Sequence, residues 1–266
     1  MSIIAESGSA TTRPFTATIP AGQRFYIGMS AVFVAIAFIG FLPTYWLPLV
    51  QGTLNVPPIT HLHALFFYGW TLFLLRQTWL TGIGEIGRHR TLGVAGVALA
   101  TGMLFVGLNA AATSVRIAEA AGGGEAGRKF AIVSVTAILL FAVLVPIALV
   151  NVRKPDVHKR LMLVATASIL QAAVGRMFIV LLRIPRQPGE SLAAHAPPVF
   201  VTVMPGLVVD LLIVAGMIHD RRTIGRVHRA YWIAGAAVLT VQLLRVPVST
   251  THAWNQVVSA LLAFFP

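Results

Sequence analysis

At 266 residues, with 57% hydrophobic and only 11% charged residues and a mean hydropathy of +0.82, the chain is unlike soluble domains, where about a quarter of residues are charged. Having no cysteine, it is excluded from disulfides, thiolate metal centres, iron–sulfur clusters and a cysteine nucleophile. The formal charge of +12 would suggest nucleic acid in a soluble protein, but here the basic residues sit in short loops between apolar runs, so membrane topology accounts for them and no nucleic-acid partner is expected.

In chain order, residues 1–23 are polar and rich in Ser, Thr and Ala. They lack the basic start, apolar core and small-residue cleavage site of a signal peptide, and are expected to be a disordered cytoplasmic tail. Seven apolar runs follow, at about Phe25–Leu47, Thr60–Leu80, Thr91–Thr113, Phe130–Val150, Leu161–Leu182, Val199–Ile218 and Ala230–Val246. Each nears the length that crosses roughly 30 Å of hydrocarbon at 1.5 Å per residue. Lipid offers the backbone no hydrogen-bond partners, so such runs must be helices. Residues 24–248 are therefore read as an all-α bundle of seven transmembrane helices. After Pro247, Ser249, Thr250 or Thr251 can cap a further helix. Residues 249–266 are too short to cross comfortably and predict a short outer interfacial helix.

Orientation follows from Lys and Arg. One side collects Arg13, Arg24, Arg88, Arg90, Arg153, Lys154, Lys159, Arg160, Arg221, Arg222, Arg226 and Arg229, twelve in all. The other collects Arg116, Arg128, Lys129, Arg183 and Arg186, five in all. The richer side is cytoplasmic by the positive-inside rule, which puts the N-terminus inside and the C-terminus in the periplasm of a bacterial inner membrane. Tyr45, Trp46, Trp79, Tyr231 and Trp232 fall near span ends, as interfacial belts do.

Direction and rise give each intramembrane polar residue a depth. His61, His63, Asn109, Arg176, Arg245 and His252 fall in the outer half, with Asp210 below them. A charge inside a span costs about 2.5–3.5 kcal/mol on insertion scales. Asp210 is therefore expected to pair with Arg176 or Arg245 and to face the bundle interior. His61 and His63 are about 200° apart on a regular helix, so both reach one ion only if the helix starts between them. Pro57, Pro58 and Thr60 make a start near His61 plausible. His63, His61 and His252 are the candidate metal ligands, and Arg176, Arg245, Asp210 and Asn109 complete the candidate cofactor pocket.

At the inner side His89, His158, His219 and His228 each adjoin Arg, Lys or Asp. The plain reading is a basic surface against lipid headgroups; the sharper one is a second haem site built from His89 and His158. No span contains a lysine for a retinal-type Schiff base, and Gly122-Gly123-Gly124 reads as a linker rather than a phosphate loop.

The run from His61 to Trp70, the element Arg88-His89-Arg90-Thr91-Leu92-Gly93 and the stretch from Arg153 to Met162 resemble a group of uncharacterised multi-span proteins of proteobacterial inner membranes. His89-Arg90-Thr91-Leu92-Gly93, a His-Arg-x-x-Gly element at a span start, is also similar to haem-binding helices of haem A synthase and of di-haem membrane cytochromes b. That likeness implies haem. The functional expectation is a membrane oxidoreductase or electron carrier holding haem b or a His-ligated metal ion. Beyond the lipid bilayer, its possible partners are a quinone, a small anionic ligand or other membrane subunits. The alternatives are a small-ligand binding protein or transporter, with Asp210 as a proton-linked switch, and a structural or assembly subunit.

Overall fold

The computed structural model describes residues 19–182 and 194–265. Among them there is no strand, and seven helices are long and apolar enough to cross a membrane. They are α1 (Ala21–Val50), α2 (Pro58–Gly82), α3 (Ile86–Ala120), α4 (Gly124–Val150), α5 (Pro155–Leu181), α6 (Val199–Ile224) and α7 (Arg229–Val248). An eighth helix, α8 (His252–Phe264), closes the chain. The protein is an all-α, multi-pass integral membrane protein.

The expected tail overruns the helix boundary: α1 begins at Ala21, behind Pro20. Proline fixes the backbone just ahead of a helix and stops it extending backwards. Residues 1–18 of that tail lie outside the described residues, as do Arg183 and Arg186. The spans run past the hydrocarbon-length estimates because helices continue into the interface; α3, at 35 residues, is about 52 Å long.

Helix α5 is the centre of the bundle, packed on α1, α4, α6 and α7. Helices α2, α3 and α4 form a row against one another, and α8 lies across the ends of α3 and α4. Small residues set these distances. A Cβ on Gly40 of α1 would sit 2.5 Å from the Ala173 carbonyl oxygen of α5, so two backbones meet there, as small residues in membrane helices allow. Gly96 and Gly102 of α3 receive the rings of Phe73 and Phe66 from α2. The Trp70 indole of α2, 1% exposed, donates to Thr166 Oγ1 of α5 at 3.0 Å.

Two spans are irregular. In α1, residues Leu42–Trp46 form a π turn, closed by the Leu47 N–H bonding back to the Leu42 carbonyl. Pro43 lies in this turn. Proline lacks a donor and its ring crowds the preceding turn, and a wider π turn relieves both. In α5 the ladder breaks at Leu170, between Pro155–Ile169 and Gln171–Leu181. The Ser168 hydroxyl donates to the Ala165 carbonyl at 2.8 Å, a back-bond that bends helices.

Helix α8 starts as the sequence implies, with the Thr251 side chain accepting from the Trp254 N–H. It is docked rather than loose. Trp254 Nε1 donates to the Arg128 carbonyl at 2.8 Å, and Arg116 donates to the carbonyls of Leu262 and Phe265.

Candidate functional site

The two ends of the bundle differ. The basic end holds the loops around Gly84, Arg153 and Arg226; the opposite end holds the 51–57 and 121–123 loops and α8. The residues singled out in sequence for the opposite half do not form one pocket. Gln171 and Arg176 of α5 are five positions apart, about 140° around a helix, and they serve two different groups.

The first group lies between α1, α2 and α5. The π turn swings Tyr45 and Trp46 inward. Trp46 is stacked on Phe38 at 5.4 Å and meets the Tyr68 ring at 4.9 Å. Tyr45 OH lies 2.9 Å from His61 Nδ1, which ties the exposed His61 ring to the π turn. His63 is half-buried and stacked on Phe67 at 4.0 Å. The Arg176 guanidinium sits over the Phe41 ring at 4.2 Å, a cation–π contact, within electrostatic reach of His63 and Tyr68. Three buried polar atoms here, Trp46 Nε1, His63 Nδ1 and Tyr68 OH, have no hydrogen bond of ordinary geometry.

The second group lies between α5, α6 and α7. Arg245 is 2% exposed. It donates to Gln171 Oε1 at 2.6 Å and to the Thr202 carbonyl at 2.7 Å. Asp210 was expected to pair with Arg176 or Arg245; the hydrogen bond it accepts comes instead from Gln242 Nε2, at 3.1 Å, with Arg245 acting on it only at longer range. The neutral amide wins because Gln242 is held against Gly206, where a Cβ would meet its side-chain carbon at 2.9 Å. Arg245 Nε, Asp210 Oδ2 and Gln242 Oε1 are buried without partners.

Asn109 and His252 join neither group. Asn109 accepts from Thr113 Oγ1, one turn along α3, at 3.4 Å. His252 is an exposed first residue of α8, on the helix that docks over α3 and α4. Among the described residues no three His, Asp or Glu side chains converge as a metal group.

The best-satisfied polar network is one the sequence reading passed over. At the basic end, Arg160 (2% exposed) and Asp220 (0%) form a bidentate pair at 2.8 and 2.6 Å. Arg160 also donates to Asp156, and the His228 backbone N–H donates to Asp220 at 3.0 Å. This ties α5, α6 and the start of α7. Tyr231 packs against Gly216 and under the Arg160 guanidinium. The histidines of this end are half-buried, each with a contact inside the protein. His219 stacks on Phe25 at 3.9 Å, and His228 Nδ1 accepts from the Ala230 N–H as the cap of α7. Outside the spans, burial first and the Arg160 charge second hold the His228 pKa below its ordinary value. One sequence signal was present: Asp220 is the single acid among Arg221, Arg222, Arg226 and Arg229.

Comparison of the chain with protein-family models, curated proteins and solved structures finds no match.

Proposed function

We propose that this protein binds a planar, membrane-soluble carbonyl ligand of the quinone class between α1, α2 and α5, and acts as a membrane oxidoreductase or electron carrier. The observation that carries this reading is the buried polar cluster beside the Arg176 charge, in which Trp46 and Tyr68 reach each other and His63 Nδ1 has no hydrogen bond. An unmet buried polar group costs about 1–3 kcal/mol, and lipid cannot satisfy it. A quinone head offers two carbonyl acceptors and a flat ring. Arg176, Trp46 and Tyr68 supply donors, and Phe38, Phe41 and Phe67 supply aromatic faces. Leu42, Leu47, Leu62 and Leu65 are exposed around this end of α1 and α2, so acyl chains and a lipid-soluble ligand share the approach. The positive-inside reading places this pocket towards the periplasm of a bacterial inner membrane.

The test is titration of purified protein with a short-chain ubiquinone analogue, read by tryptophan quenching with Trp46→Phe as the probe control. Binding is expected to weaken at least tenfold, about 1.4 kcal/mol, in Arg176→Gln and in Tyr68→Phe, with His63→Ala in the same direction. Equal binding by all three variants would overturn the reading. Haem b or a His-ligated ion is the other redox occupant in this frame: His63 supplies one ligand, and His61 or His252 would have to reorient to supply another. An absorbance spectrum and metal analysis of the same preparation separate these occupants.

A second reading rests on the α5–α6–α7 group. Its unpartnered Arg245 Nε, Asp210 Oδ2 and Gln242 Oε1 suit a small anionic or hydrogen-bonding solute, with Asp210 as the proton-linked group of a carrier. Uptake of such a solute into vesicles, abolished in Asp210→Asn, is its signature.

A further inference from the structure

Away from both groups, at the basic end, two histidines from different helices meet edge-on. His89 lies in the first turn of α3 and His158 in the first turn of α5. Their ring centroids are 6.4 Å apart at 82°. His158 Nδ1 is 2.8 Å from the Ala148 carbonyl. A carbonyl only accepts, so Nδ1 carries the proton and Nε2 holds the lone pair of the neutral ring. His89 Nδ1 is buried and has no hydrogen bond, and the Gln77 backbone of α2 acts on that imidazole.

We infer that His89 and His158 form the protein part of a site for a transition-metal ion that prefers imidazole, such as zinc or copper. The His158 ring is tied to a backbone carbonyl through Nδ1 and presents Nε2, which is how metal-ligating histidines are oriented, and His89 brings a buried nitrogen without a hydrogen bond. At a metal–nitrogen distance of about 2.0–2.1 Å, an ion lies roughly 3.2 Å from each ring centroid. A separation of 6.4 Å therefore accommodates an ion between the rings, and it closes by about 1 Å at a tetrahedral angle. Arg90 beside His89 and two helix N-termini oppose added positive charge, so the ion must enter with hydroxide or another anion in its remaining coordination positions. The Arg88 charge is partly met by Glu85, 3.7 Å away.

The experiment uses full-length protein in detergent, stripped with chelator and dialysed against zinc alone. One zinc per chain is expected, with two imidazoles counted by X-ray absorption. Zinc affinity should fall at least tenfold in His89→Ala and in His158→Ala, and not at all in His219→Ala, a histidine of the same end outside the site. Should a histidine variant fail gel filtration, the wild-type absorption spectrum decides: zinc ligated by fewer than two imidazoles overturns the site. So does a wild type that takes up no zinc, or a double variant that keeps it. An imidazole-ligated haem found between these two rings also overturns it, because the occupant is then different.

Discussion

Asp210 and Asp220 lie on the same helix, and burial alone does not say which one is ion-paired. Asp220 meets a guanidinium edge-on and accepts three hydrogen bonds, two from Arg160 and one from the His228 backbone; Asp210 accepts one, from a neutral amide. Removing one partner of a fully buried pair leaves the other uncompensated, at a cost of about 3–5 kcal/mol. Asp220→Asn is thus expected to lower the detergent melting temperature sharply. The double change Arg160→Met with Asp220→Leu should recover much of the loss. Asp210→Asn, by contrast, exchanges one hydrogen-bonded group for another, and a small shift is expected. His228 adds a pH dependence. Its Nδ1 accepts a helix-capping bond, and burial and Arg160 favour its neutral form against the nearby Asp220 and Asp156. The unfolded chain therefore takes up the proton first as pH falls, so this contribution is present above about pH 6.5 and is lost below it. Melting curves across that range should show a loss in wild type that His228→Asn, a cap without a titrating ring, does not share.

At the scale of elements, the informative places are those where a helix departs from regular geometry. The π turn of α1 directs Tyr45 and Trp46 at α2, and the break at Leu170 precedes Gln171, which takes Arg245. Proline in an apolar run was a visible warning of the first; nothing in Ile169-Leu170-Gln171 announced the second, because a serine back-bond is decided by rotamer and packing. Close approach is similar. Gly40 is one glycine among 23, and only the fold shows that it faces the Ala173 backbone. Gly40→Ala places a methyl against a carbonyl that cannot move aside, and a loss of about 1–3 kcal/mol is expected. Because Arg176 follows Ala173 by one turn, the same variant should also weaken quinone-analogue binding. Gly93→Ala, inside α3 with open space around it, is the control that should not lower the melting temperature. The docking of α8 makes a further prediction. Trp254→Ala removes a side chain that is 5% exposed, at about 3–5 kcal/mol. That loss should appear as protease sensitivity near residue 251 before the bundle itself melts.

At the scale of the whole molecule, seven helices are long and apolar enough to cross, an odd number that predicts chain ends on opposite sides. The twelve-to-five distribution of Lys and Arg predicts the direction. A phosphatase fused after residue 265 is expected to be active, and a cytoplasmic reporter there silent. The reverse would show that the direction, or the number of crossings, is not as read.

The sequence by itself determined the class and the number of spans. Length, apolar periods and the clustering of charge are local, and the bilayer leaves an apolar run of some twenty residues no other conformation than helix. It also offered Ser249, Thr250 or Thr251 as the cap of α8, of which Thr251 is the one used. Only the tertiary structure decided partnership. Depth along a helix can be counted from the sequence; azimuth relative to neighbours cannot, because it depends on which helices touch and on breaks that rotate everything beyond them. Hence one expected pocket became two groups on different faces of α5, and His252 went to another part of the molecule. The contacts of the half-buried His219, His158 and His228 with Phe25, Ala148 and the Ala230 N–H were likewise not legible in sequence, because packing decides which partner a polar ring meets.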